Sequence, residues 1–390
     1  MEISLLVFIY FNSLKKMRIN IAMGPWFPVP AIDGGAVHRC WQSIAEAFAI
    51  KGHQVTMLCR SHPQQPASET INGVRYVRSG GFPQSTNIKL DLIKDLTYAC
   101  STFPSLPSGD ILMINDFWLP VFAPWKPGVG KIVFGAARFP KKQYWLYQQT
   151  DLFVAVSQAI AKAIEQQYPK AQKRIQTINN NIDCKIFSPP IIPRQSDKQK
   201  TILYVGRIHP EKGLDLLLKS FALITKIHPE TKLKIIGPYR EYQGGGGEHY
   251  LTQLKDRARG LPVEFCEPIF EPNKLADVYR QADLFCYPSL AEKGESFGVA
   301  PLEAMATGLV PIVSNLDCFK DFIEAEKTGY FFDHRSSDKV VNLAKTLKTA
   351  LTNWSITKQM GTNAANKAKE FSQENIANKY LELFENLLCS

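Results

Sequence analysis

The 390-residue chain has eight cysteines but no CxxC pair, so it carries neither the spacing of a zinc site nor a disulfide framework. That usage leads us to expect a reducing, cytoplasmic compartment. No apolar run is long enough to span a bilayer. Neither a Gly-x-Gly-x-x-Gly fingerprint nor a Walker A loop occurs, which removes the dinucleotide and P-loop readings. No internal repeat of roughly 20–50 residues is visible, and low complexity is confined to the tetraglycine 244–247. Hydrophobic residues make up 45%, too many for a disordered chain. The 46 Lys+Arg against 36 Asp+Glu give a formal net charge of +10, which favours an acidic partner: nucleic acid, anionic lipid or a phosphorylated small molecule.

The length suits two domains of roughly 150–200 residues each. Residues 1–16 place their apolar stretch ahead of the lysines and lack a cleavage site. They read as an extension or a mis-assigned start before Met17, with a weak membrane anchor as the other reading. From Met17 onward, a strand at 18–23, a Gly/Pro-rich loop, a helix at 37–50 and a strand at 54–59 form a βαβ unit, which demands a parallel sheet. Further strands are expected at 74–78, 111–115, 132–134 and 152–156. The segment 179–200 has three prolines and no periodicity. A second βα series follows, with strands at 201–205, 232–236, 263–265, 284–287 and 310–313. Leu214, Leu217, Leu218, Phe221 and Ile224 mark one helical face within it. The expected domains are therefore 17–185 and 201–370, joined by a linker at 186–200 and followed by a C-terminal helix from 371 to 390. Two such α/β domains put a cleft between them.

Three constellations carry chemistry. In Glu295-Ser-Phe-Gly-Val-Ala-Pro-Leu-Glu303, Pro301 suits the first position of a helix and Gly308 its end. Glu303 then falls in the first turn and Glu295 in the preceding loop, with free N–H groups at Phe297, Gly298, Val299 and Ala300. Such a segment offers carboxylates to sugar hydroxyls and N–H donors to phosphate oxygens; two surface helix-cap acids are the plainer alternative. In Gly206-Arg207-Ile208-His209-Pro210-Glu211-Lys212-Gly213, an arginine leaves a strand and a lysine enters a helix, as a pyrophosphate clamp would require. An exposed basic loop is the alternative there. In the loop Asp33-Gly34-Gly35-Ala36-Val37, paired glycines let a ligand approach a helix N-terminus, or make an ordinary turn.

With SQAIAKAI at 157–164 and TGYFFD at 328–333, these segments make the chain resemble the retaining glycosyltransferases of family 4, in the GT-B superfamily. The resemblance implies two Rossmann-like doubly wound domains facing across a cleft, with the C-terminal helix crossing back to the first. It implies that Arg207 and Lys212 bind the donor diphosphate, Glu295 the donor sugar and Glu303 the nucleotide ribose. The backbone of Phe297, Gly298, Val299 and Ala300 would line the donor, and Gly34, Gly35 and Arg138 would face phosphate or acceptor. Glu303 and Lys212 are expected to act on the donor rather than the core, so that replacing either leaves the fold intact. The implied reaction moves a hexose from a nucleotide sugar such as UDP-glucose to a saccharide or lipid-linked acceptor, with no cofactor. No Asp-x-Asp occurs, so a metal-independent cationic clamp is expected over the GT-A type of site. No nucleic-acid partner is implied, and the setting expected is the cytoplasm or the inner face of its membrane.

The pattern is not followed everywhere. Relatives carry a histidine after a first-domain strand, whereas 132–142 has none, leaving Arg138 or a neighbouring lysine for that place. Asp317-Cys318 stands where a glycine pair is usual. Trp118, Trp125, Phe139, Tyr144 and Trp145 suit an ordinary core, a sugar platform or lipid headgroup contact. A nucleotide-sugar epimerase of the same fold would need a histidine facing the sugar. A non-enzymatic basic module would need one dense stripe of lysines, and here they are spread through both halves.

Overall fold

A computed structural model describes residues 16–30, 35–83, 85, 87–191 and 199–390. Two compact units are present. One holds the described residues up to Gly135 together with Gln143–Val154 and Ala377–Ser390; the other holds Ala136–Lys142 and Ala155–Ile376. Most of the extension 1–16 and the centre of the expected linker, 192–198, lie outside the described residues. Residues 155–185, read from the sequence as first-domain, group with the second unit. Hydrogen bonds explain why: Gln158 N and Asn179 Nδ2 both donate to Asp321 Oδ2, each at 2.9 Å.

The first sheet has strand order β3-β4-β2-β1-β5-β6-β7-β8. In chain order its elements are β1 (Arg18–Met23), α1 (Ala36–Ile50), β2 (Gln54–Arg60), β3 (Ser68–Ile71), β4 (Val74–Ser79), α2 (Ile88–Thr102) and β5 (Ile111–Asn115). There follow α3 (Leu119–Phe122), β6 (Lys131–Ala136), β7 (Leu152–Ala155), α4 (Gln158–Gln167) and β8 (Ile175–Thr177). Strand β1 pairs in parallel with both β2 and β5, and the short β3 is antiparallel to its neighbour β4. Helix α1 buries Trp41, Ile44, Ala45 and Phe48, the i, i+3, i+4, i+7 stripe of an amphipathic helix. Each large side chain removed from water in this way contributes roughly 1.5–3 kcal/mol.

The second unit repeats the scheme with β9 (Thr201–Val205), α5 (Leu214–Ile224), β10 (Lys232–Ile236), α6 (Gly247–Arg257), β11 (Val263–Cys266), α7 (Pro272–Gln281) and β12 (Leu284–Tyr287). It continues through α8 (Val299–Ala306), β13 (Val310–Ser314), β14 (Tyr330–Phe332), α9 (Lys339–Thr352) and α10 (Trp354–Ala368). Its order is β11-β10-β9-β12-β13-β14, so the direction of winding reverses between β9 and β12. All five residues expected on the inner face of α5 are buried. The last helix, α11 (Gln373–Cys389), contributes to the first unit from Ala377 on. There Tyr380 packs on Trp41 with ring centroids 5.1 Å apart, and Phe384 on Phe48 at 6.0 Å.

Helix α2 is built the wrong way round at its start. Asp91 and Asp95 are buried, while Ile88, Leu90, Leu92 and Ile93 are exposed. Asp95 meets Asp116, which follows β5. Asp95 Oδ1 accepts from Trp118 N at 3.3 Å, and Asp116 Oδ1 from Leu119 N at 2.7 Å. Burial pushes the Asp95 carboxyl up to about 6, and burial and the Asp95 charge also raise Asp116. Two acids in one dry site share a proton rather than both ionise. Both folded-state values lie above the unfolded one, so folding binds protons, and stability present in acid is lost as pH rises through about 6. Asp116→Asn should flatten this loss in urea unfolding compared at about pH 5 and pH 8; an unchanged dependence would remove the pair as its source.

Candidate active site

The carboxyl ends of β9 and β12 adjoin where the winding reverses, the place at which open parallel sheets take ligands. Two loops leave from there, 206–213 and 288–298. They approach so closely that a Cβ on Gly213, whose φ is +71°, would collide with the Pro288 carbonyl oxygen. Leu290 N donates to Glu211 O at 2.7 Å and fixes the two loops in register.

This register sets Lys212 opposite Glu295. Lys212 Nζ donates to Glu295 Oε2 at 2.7 Å, and both side chains are under 10% exposed. The ammonium also lies 5.5 Å from the centre of the Tyr287 ring, which stacks on Tyr204 at 5.6 Å. Arg207, half-exposed at the rim, is held by Glu211 at 2.6 Å and by the Gly244 carbonyl at 2.7 Å, leaving part of its donor fork for a further anion. His209 Nδ1 accepts from Glu211 N at 3.4 Å and so caps the turn Pro210–Lys212. Burial holds the His209 ring below the usual histidine range, with Glu211 opposing and Arg207 and Lys212 reinforcing; it is a neutral acceptor at pH 7.

Helix α8 begins two residues before the expected Pro301, because Gly298 at φ +92° turns the chain into it. A Cβ there would strike the Phe319 ring. Pro301 is tolerated as the third helical residue, since the first N–H groups have no intrahelical acceptor. Glu303 consequently sits in the second turn, buried, with its Oε2 accepting from Tyr279 Oη at 2.9 Å. The Phe297 side chain points into the core against Phe322, 4.8 Å between centroids, so this residue offers the site only its backbone. Arg207, Lys212, Glu295, Gly298, Val299, Ala300 and Glu303 thus all belong to loops or a helix start at the same edge of one sheet.

A family model described as glycosyl transferases group 1 matches residues 191–367, which include both loops and α8. Over this segment the chain is similar to the group 1 glycosyltransferases. It is 24% identical to spore coat protein SA of Bacillus subtilis (strain 168) over 95% of this chain and 99% of that protein. Sucrose-phosphate synthase from Thermosynechococcus elongatus superposes with a TM-score of 0.78 at 20% identity, over 96% of this chain and 100% of that one. Anabaena HepE in complex with UDP-glucose gives 0.71 at 16% identity, over 95% and 100%. These likenesses establish the fold of the chain as GT-B.

The other expected positions stand as follows. Gly34 lies outside the described residues. Gly35, at φ +94°, starts α1 as Gly298 starts α8. Arg138 is exposed and falls in the segment Ala136–Lys142 of the second unit. Protein packed around its guanidinium, and then the charge of Arg207, lower its pKa. Cys318 and Phe319, in the short helical turn Asp317–Asp321, are buried. Among the described residues no cluster of three His, Cys, Asp or Glu is suited to a metal. A cavity of about 450 Å³ opens at the opposite, amino-terminal ends of the strands, between Lys200, Asp283, Gly308 and Trp354, and contains none of the donor-side residues.

Sequence reading overlooked two participants. Glu211 occupies the clamp between Arg207 and Lys212, 3.9 Å from the lysine, and its place inside the basic motif was the available signal. Tyr279 holds Glu303 from α7, and nothing in the motif spacing marks it. Lys212 and Glu303, expected to act on the donor rather than the core, are both buried. Breaking a buried ion pair strands the other charge, at a cost of about 3–5 kcal/mol. Lys212→Met and Glu295→Gln should therefore each destabilise the protein in urea unfolding, while the double variant recovers part of the loss. Strict additivity of the two effects would show that the pair is not coupled.

Proposed function

We propose that this protein is a glycosyltransferase that transfers a hexose from a nucleotide sugar, with UDP-glucose as the donor class, to a saccharide or lipid-linked acceptor with retention of configuration. The observation that carries the reading is the buried Lys212–Glu295 pair beside Arg207 at the switch point of the second sheet. Breaking the bond between the anomeric carbon and the diphosphate oxygen leaves an oxocarbenium-like sugar and a charged leaving group. Preorganised cations stabilise that charge where it develops. In this scheme Arg207 and Lys212 take the diphosphate, together with the first N–H groups of α8. Glu295 takes sugar hydroxyls and Glu303, oriented by Tyr279, the ribose. The acceptor oxygen bonds to the anomeric carbon on the face the diphosphate leaves, and its proton passes to the departing phosphate oxygen. No protein nucleophile enters, and the chain's own cations supply the positive charge.

The exposed face of α2 supports an acceptor presented at a lipid surface. Ile88 and Ile93 are about 60% exposed, and Lys89 and Lys94 flank them. Apolar anchors beside lysines suit the headgroup region of an anionic membrane, which would place the enzyme at the inner face of a cytoplasmic membrane. Among the described residues, no helix is long and apolar enough to cross one.

Slow hydrolysis of a nucleotide sugar reports the donor without an acceptor. It should survive EDTA and fall roughly a hundredfold in Arg207→Ala, the scale of one lost oxyanion-type contact. Absence of hydrolysis and binding across UDP, GDP and ADP sugars would sink the reading. The Ile88→Asp/Ile93→Asp variant should lose flotation with phosphatidylglycerol vesicles yet keep donor hydrolysis; equal flotation by variant and wild type would remove the membrane contact.

A further inference from the structure

Glu292 lies three residues before Glu295, yet it points to a different partner set. Arg335, just past β14, engages both of its carboxylate oxygens: Nε with Oε1 at 2.8 Å and Nη2 with Oε2 at 2.8 Å. His334 Nε2 lies 2.9 Å from Oε1, and this ring is buried. His334 Nδ1 is buried without a partner among the described residues, so the network assigns the proton to Nε2, which donates to Glu292. The other end of the Arg335 fork, Nη1, donates to the Asn315 carbonyl at 2.8 Å. Asn315 opens the loop after β13 that carries Phe319 beneath Gly298. Burial alone would raise the Glu292 carboxyl, but the hydrogen bonds from Arg335 and His334 hold it below the usual range. One carboxylate thus ties together the exits of three strands: β12 through its own loop, β13 through Asn315, and β14 through His334 and Arg335.

We propose that Glu292 is a positioning residue for the donor: with His334 and Arg335 it forms a clasp that holds the Glu295 loop and the Asn315 loop at a fixed separation. This inference rests on the donor reading given above. The clasp reaches the loop that carries Asp317-Cys318 through the Asn315 carbonyl at its start. Glu292 and Arg335 are half-exposed, and an ordinary ion pair at such a place adds little to global stability. A positioning role and a merely structural one therefore separate in experiment.

Hydrogen–deuterium exchange of the full chain, free of ligand, should quicken at both 289–298 and 314–318 in Glu292→Ala and Arg335→Ala, with little change in midpoint of unfolding. UDP-glucose, titrated by calorimetry, should bind about tenfold more weakly to both, the scale of one lost charge-assisted contact. Glu292→Gln keeps an acceptor for His334 and should recover most of that affinity. Unchanged exchange at 314–318 in Glu292→Ala overturns the clasp, and so does loosened exchange with undiminished affinity. A wild-type chain that binds no nucleotide sugar overturns the donor reading instead; the exchange comparison needs no ligand and still decides whether Glu292 joins the two loops.

Discussion

Taking an ammonium and a carboxylate out of water costs several kcal/mol for each ion, and Lys212 with Glu295 recovers that cost only through close mutual contact. Everything around the pair serves that contact. Gly213 lets the two loops approach, Leu290 N and Glu211 O lock their register, and the stacked Tyr204 and Tyr287 floor the lysine with aromatic faces. The same pair keeps the ammonium oriented at the carboxyl ends of the strands. In the proposed reaction, an anion arriving beside it would find the charge already placed, so that little reorganisation accompanies the development of negative charge on a leaving group. The burial that makes the pair costly also strengthens its field.

Glycine enters this architecture as a backbone device. Gly35 and Gly298 have nearly the same dihedrals, φ 94° and ψ 81° against φ 92° and ψ 78°, and each starts a helix in its own unit. A left-handed residue at this point brings the first helical N–H groups round without a capping side chain, leaving those donors for an anion. At Gly298 a second constraint applies, because the Phe319 ring occupies the place of a Cβ. Phe319 belongs to the turn that replaces the expected glycine pair, so the turn supports the donor helix from beneath by packing, even where its sequence departs from the family pattern.

Alternation of short apolar runs with amphipathic stretches made the doubly wound sheets legible, because burial on both faces forces strands to read as continuous hydrophobic segments. The α5 face was legible for the same reason. The start of α8 was not: Pro301 signals a helix beginning, but the left-handed Gly298 draws it two residues earlier and moves Glu303 into the second turn. Partners across the sequence were invisible as well. Tyr279 reaches Glu303 from α7 and Arg335 reaches Glu292 from beyond β14, at separations that no local spacing encodes. The grouping of 155–185 with the second unit follows from partners distant in sequence, Asp321 for Gln158 and Asn179 and Phe371 for Ile182, which only three dimensions reveal.

Helix α2 shows how a polar interior decides what a surface offers. Its pattern of charged and apolar residues would ordinarily turn the leucines and isoleucines inward. Asp95 instead finds in Asp116 a partner with which one proton is shared, and Asp91 accepts from Ser85 N at 2.9 Å and Ser85 Oγ at 2.7 Å. With the carboxyls committed to the interior, helical geometry leaves Ile88, Leu90, Leu92 and Ile93 on the outside. An apolar patch that water covers is a standing cost. Here it follows from the acid pair rather than from poor packing, so the shared proton that holds the helix in place also determines that the first unit presents a greasy, lysine-flanked face.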